Sequence, residues 1–248
     1  MFFEYRWYEC APGRLAEEID RMEEVAIAGW KGGEESVFDR YGIPRPIGAW
    51  SSVAGRRKPV FGYILQWDSF AQRDTAFPAF WTGPEWAEVR ERTNAGFTLV
   101  DHFDNWVIGP NAAWDRSGGC EGEPIGGLHE MRIHHCMAGD GHHVTAYLAE
   151  IEHRQMEVMG GRVIGVFDVK IGPDIPAIIS FIGWPDYETQ QAAARRLELE
   201  PRVRERRRQW REELGDSPIR HVEQTLLKPL DYGKPLPNFG LAAEGVAA

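Results

Sequence analysis

The feature that most restricts the fold is an internal repeat. "EYRWYECAPG", Glu4 to Gly13, has its frame written again as "EMRIHHCMAG", Glu130 to Gly139, 126 residues later. "IGAWSSVAG" (Ile47 to Gly55) then aligns with "IGVFDVKIG" (Ile164 to Gly172) at a separation of 117. That register continues through "VFGYILQWDSF" (Val60 to Phe70) and "AIISFIGWPDY" (Ala177 to Tyr187), setting Trp67 on Trp184. A fourth block sets "VDHFDNWVIGP" (Val100 to Pro110) on "IRHVEQTLLKP" (Ile219 to Pro229), and His102 on His221. Four blocks in one order mean that whatever one half folds into, the other does too. The fall from 126 to 117 gives the first copy nine extra residues, assigned to "KGGEESVFDRYGIPRP" before its second strand. A Gly- and Pro-bearing stretch of that kind is expected on the surface, where it can cover a site.

Each copy reads as β-α-β-β-α-β. The first strand alternates, and a Gly turn (Gly13; Gly139 and Gly141) leads into an amphipathic helix. Its apolar stripe is Leu15, Ile19, Met22 and Ala26 in copy one, and Val144, Leu148, Ile151 and Val158 in copy two. Two strands follow, then helices opening at "DSFAQ" and "PDYET" behind plausible caps. "TGPEW" offers Thr82 as the cap of a further helix with Trp86 and Val89 inward; in copy two Val203, Trp210 and Leu214 are its apolar positions. This order predicts an α+β chain of two tandem ferredoxin-like units, with helices on one sheet face only. The free faces are expected to meet and form an α+β barrel within one chain. The units span 1–110 and 128–230, joined by a Gly-rich linker at 111–127 and followed by a tail at 231–248.

Composition excludes several classes. A formal charge of −10 at pH 7 argues against nucleic acid and anionic membranes as partners. Three cysteines are too sparse and odd a set for a disulfide scaffold, and no apolar run is long enough to span a bilayer. A cytoplasmic protein with a small-molecule ligand or substrate is expected, either a monomer with an internal pseudo-dimer or a homo-oligomer.

E-x-R-x-Y with a Gly turn (Glu4, Arg6, Tyr8, Gly13), Gly48 with Trp50, "WDSF" (Trp67 to Phe70) and "PEW" (Pro84 to Trp86) together resemble the NIPSNAP family of dimeric α+β barrel proteins. The resemblance covers nearly all of copy one. Copy two keeps Glu130, Arg132 and Trp184 but has Pro185, Arg202 and Val203 where copy one has Asp68, Glu85 and Trp86. The resemblance implies a fold and a site location, and relatives in the superfamily include cofactor-free monooxygenases, isomerases, haem enzymes and proteins with no settled activity.

Strand alternation puts Glu4, Arg6, Tyr8 and Cys10 on one face and Phe3, Tyr5 and Trp7 on the other. The large apolar set is expected under the helices, which turns the charged set, with Glu130, Arg132, His134 and Cys136, into the barrel interior. Charges there demand pairing, so Glu-Arg braces are one reading. The other is a polar pocket in which an Arg holds an anion while a Glu or His moves a proton. His134 replaces Tyr8 with a group that titrates near neutrality and is the foremost catalytic candidate, with Glu4, Arg6, Tyr8, Glu130 and Arg132 beside it. His102, His221, Trp50, Trp67 and Trp184 are candidates to line the substrate. No metal site and no organic cofactor are expected: His129 and His134 are five apart and fall on opposite strand faces. A haem would need an inward His beside an apolar cavity, which the sequence does not single out. The functional expectation is a cofactor-free small-molecule enzyme, an isomerase, lyase or monooxygenase; the alternative is a non-catalytic binding or adaptor protein on the same scaffold.

Overall fold

The computed structural model describes residues 1–114, 127–173 and 175–230. They cluster into two compact units: one built from 1–52 and 56–107 with Leu230, the other from 53–55 and the described part of 108–229. Most of the expected linker, the tail at 231–248 and Cys120 lie outside the described residues.

The first unit runs β1 (Phe2–Cys10), α1 (Leu15–Ala26), α2 (Val37–Tyr41), β2 (Gly48–Ala54), β3 (Val60–Trp67), α3 (Phe70–Thr82), α4 (Pro84–Asn94) and β4 (Val100–Pro110). β1 lies antiparallel to β3, with Arg6 opposite Tyr63 and Tyr8 opposite Phe61. The sheet order is β4-β1-β3-β2, the interleaved order of a ferredoxin-like unit. The Ser69 hydroxyl caps α3 by accepting from the Gln72 N–H. The expected cap Thr82 instead ends α3; Gly83 stands before Pro84, the first residue of α4, because proline needs no backbone N–H there. A side chain at Gly83 would strike the Tyr41 hydroxyl 2.0 Å away, so any larger residue at this corner would have to displace the Tyr41 ring. The extra residues of copy one form α2, opened by a reciprocal Ser36–Asp39 capping box. This short helix sets Phe38 edge-on to Phe80 and Tyr41 against Glu85, so the insertion covers the α3–α4 layer.

The second unit repeats the order with β5 (Leu128–Cys136), α5 (Gly141–Tyr147), α6 (His153–Val158), β6 (Arg162–Ile171), β7 (Ala177–Trp184), α7 (Tyr187–Leu199), α8 (Pro201–Glu213) and β8 (Ile219–Pro229). Its sheet order is β8-β5-β7-β6, matching the first unit strand for strand. Asp186 caps α7 through the Thr189 N–H, as expected. Val203 and Trp210 of α8 are buried, whereas Leu214, just past its end, is exposed.

One departure from the first unit reorganises the core. Between α5 and α6 the helix widens into a π-turn over Leu148–Glu152, where the His153 N–H reaches back five residues to the Leu148 carbonyl. The extra residue advances the register. Val144 and Leu148 are buried as expected, but Val158 is 78% exposed, and Glu152 and His153 occupy the inward positions instead.

Candidate functional site

The faces of the first strands are the reverse of the sequence expectation. Glu4, Arg6 and Cys10 point under the helices, while Tyr5 and Trp7 pack with Trp50 and Trp106 on the opposite face. Both faces of β1 are buried, so hydrophobicity alone did not say which one the helices cover. The helices supply what burial of charge demands: a guanidinium, a carboxylate and an amide side chain.

In the first unit Glu4 is the hub. Arg73 of α3 grips both its oxygens, Nε to Oε2 at 2.8 Å and Nη2 to Oε1 at 3.0 Å. Arg6 Nη1 adds a bond at 2.7 Å and the Trp67 indole N–H another at 3.0 Å. Burial works to raise the Glu4 pKa, but the Arg73 hydrogen bonds and the charges of Arg6 and Arg73 outweigh it and hold it below the usual value. Arg6 lies over the Phe77 ring and donates from Nε to the Tyr8 hydroxyl, which meets the Tyr63 hydroxyl at 3.0 Å. The buried Tyr63 phenol is pushed far above its ordinary pKa, chiefly by desolvation. This set is almost fully paired, and it braces β1 and β3 to α3.

The second unit keeps the hub and changes what surrounds it. Glu130 accepts from Arg132 Nη1 at 2.8 Å, the Trp184 indole at 2.9 Å, Gln190 at 3.1 Å and Gln224 at 3.2 Å. Arg132 then turns its Nε to Glu152 Oε1 at 3.0 Å, and the same oxygen lies 3.0 Å from His134 Nε2. Glu152 is held well below the carboxylate range: burial opposes ionisation, but the charge of Arg132 and the hydrogen bond from His134 outweigh it. It therefore stays ionised and fixes the His134 tautomer with the proton on Nε2, leaving the lone pair on Nδ1. His134 is fully buried, and Nδ1 has no hydrogen-bond partner among the described residues. His153 Nε2 meets the Ser180 hydroxyl at 3.0 Å; desolvation lowers its pKa to about 4 against the pull of Glu152, so this ring is neutral.

Other candidates fall elsewhere. His102 and His221, candidates to line the substrate, are 56% and 55% exposed on outer strand positions, beside Asp104 and Glu223, so neither has the buried setting of His134. Trp67 and Trp184 are hydrogen-bond donors to the two hubs, and Trp50 packs edge-on to Tyr5 on the opposite face. These residues do not fit a haem: two of the imidazoles are solvent-exposed, and the third is enclosed beneath the helix with Glu152 on its Nε2. Cys10 and Cys136 are buried, and desolvation pushes their thiols up to about 12 and about 11, which removes them as nucleophiles at neutral pH. Among the described residues, no helix is long and apolar enough to cross a membrane.

The NIPSNAP family model matches residues 3–110. The first unit is similar to the NIPSNAP family. Solved structures extend the likeness across both units as fold alone. A monooxygenase candidate from Fusobacterium nucleatum has a TM-score of 0.55 at 8% identity, covering 93% of this chain and 92% of its own. An anthrone oxidase-like protein gives 0.54 at 12% identity, with 94% of each chain covered. Chlorite dismutase from Candidatus Nitrospira defluvii gives 0.51 at 10% identity, covering 96% and 93%. No curated protein matches the chain.

Set beside the first unit, the second differs at the positions that surround its hub. At the 117-residue spacing, Tyr63 corresponds to Ser180, Phe77 to Ala194 and Arg73 to Gln190. Two rings are lost and one charge is removed. Glu152, the last residue of the π-turn, bonds to Arg132, and His153, which follows it, bonds to Ser180; Arg132 thus meets a carboxylate where Arg6 lies over a ring. Sequence reasoning missed Arg73, Glu152, His153, Ser180 and Gln190. The large-to-small changes at matched positions were the signal that could have found them.

Proposed function

We propose that this chain is a small-molecule enzyme whose second unit abstracts a proton, with His134 as general base and Glu152 as the group that orients and charges it. The observation that carries the reading is the Glu152–His134 contact at 3.0 Å, with His134 Nδ1 buried and without a hydrogen-bond partner among the described residues. A carboxylate on one imidazole nitrogen sets the tautomer and stabilises the imidazolium that forms when the other nitrogen takes a proton. The positive charge of Arg132, held against the same carboxylate, favours an enolate or phenolate over its neutral parent. In this step the substrate proton passes to Nδ1 and the bonding pair remains on the substrate as its anion. Returned to another carbon, the proton gives isomerisation; expulsion of a leaving group gives a lyase; attack on dioxygen gives oxygenation. The oxidase and monooxygenase names among the structural neighbours favour the last outcome.

The test is turnover of enolisable ketones and electron-rich phenols by the wild type, His134→Gln and Glu152→Gln, with folding checked by circular dichroism. Loss of the base should slow turnover by roughly 10²–10⁴-fold, with Tyr8→Phe in the first unit changing it far less. A substrate turned over equally by His134→Gln removes the proposal. The complete burial of His134 favours a second reading, a binding protein in which the cluster is structural. That reading gains if ligands raise the melting temperature and none is consumed.

A further inference from the structure

On the sheet face away from the helices, β5 and β8 bring together His135, His221 and Glu223. His135 sits directly opposite His221, and Glu223 is two residues farther along the same strand, so all three side chains share one face. The pairing register slips just past His135, a bulge of the kind that re-aims a side chain. His135 Nε2 lies 3.4 Å from Glu223 Oε1 and His221 Nε2 lies 3.5 Å from the same oxygen. All three donor atoms fall within 4.8 Å of one another.

We propose that His135, His221 and Glu223 form a binding site for a divalent first-row transition cation of the Zn²⁺ class. Ligand atoms about 2.0–2.1 Å from a tetrahedral zinc stand roughly 3.3–3.4 Å apart, close to the two nitrogen–oxygen separations here. Two imidazoles and one carboxylate are an N₂O donor set for such a cation, poorly suited to Mg²⁺ or Ca²⁺. The rings of His135 and His221 stack nearly parallel, centroids 4.0 Å apart, so one must tilt to direct its lone pair inward. The exposed His221 has room to do so, while the buried His135 is held in place. Exposure on the His221 side also leaves a fourth position open to water or an external ligand, as in zinc sites that act on substrates. The first unit carries an altered copy at the matched positions: Glu9, His102 and Asp104 converge in the same way, but Arg57 bridges both carboxylates, at 2.9 and 3.4 Å.

The experiment is calorimetric titration of the metal-free full chain with zinc chloride, backed by the ligand-field spectrum of the cobalt(II) form. One zinc per chain is expected, weakened about tenfold or more by His221→Ala and by Glu223→Gln, and unchanged by a paired His142→Ala, His143→Ala variant. His221 is exposed, so its substitution leaves the fold intact, which circular dichroism verifies. Absence of zinc binding at millimolar metal, binding unaffected by both site variants, or binding abolished by the His142 and His143 changes would each overturn the assignment.

Discussion

Arg73→Met and Glu4→Gln, singly and together, measure how far the hub of the first unit depends on a charge brought in by α3. Arg73 makes two charge-assisted hydrogen bonds to Glu4, and such bonds contribute about 1.5–3 kcal/mol each when buried. Arg73 is 22% exposed and solvent screens part of that, so its loss should cost roughly 2 kcal/mol. Glu4→Gln removes the single carboxylate facing both guanidiniums, with Arg6 only 3% exposed; breaking a buried pair from that side costs about 3–5 kcal/mol. The double variant deletes both partners, so its cost should fall short of the sum by more than about 1 kcal/mol. Urea unfolding followed by far-ultraviolet circular dichroism gives all three values, provided the slopes match the wild type. If the costs add to within about 0.5 kcal/mol, the two residues are independent. The claim that α3 is pinned to β1 through this pair would then be wrong.

Two further outcomes follow from buried titratable groups. His153 binds its proton with a pKa of about 4 in the fold, against about 6.5 in an unfolded chain. Its contribution is therefore intact above pH 6.5 and declines as pH falls toward 4, by up to roughly 3 kcal/mol. The urea midpoint should drop over that window and flatten in His153→Gln; parallel curves would show that the ring is not buried neutral. Cys10 and Cys136, with thiols pushed up to about 12 and about 11, should resist iodoacetamide at pH 8 until the protein is unfolded. Peptide mapping by mass spectrometry reads this directly, and rapid native labelling of either residue would contradict their placement.

Element order was legible because the repeat tested every assignment twice. A strand or helix signal in one copy had to recur in the other, and Ser69 and Asp186 mark the same helix start by the same capping chemistry. The pairing of Glu4 with Arg6 and Glu130 with Arg132 could likewise be read from the cost of burying charge. Orientation could not. Tyr5 and Trp7 are as fully enclosed as Glu4 and Arg6, so alternation separated two faces without saying which met the helices. His102 and His221 were misplaced for a related reason: their strands are polar on one side, and matched positions say nothing about depth. Glu152 and His153 escaped because a regular 3.6-residue period was carried through Leu148–Glu152, where the helix does not follow it.

That π-turn places the second unit's chemistry under an unusual kind of inheritance. Each α-helical residue turns the chain by about 100°, so one residue more or less in Leu148–Glu152 decides whether Glu152 meets His134 or faces water. The cluster is written in chain length as much as in residue identity. A single-codon deletion there could erase it while leaving every participating side chain in the gene, and a single-codon insertion in a plain helix could have created it. Comparisons that score substitutions alone would pass over both events.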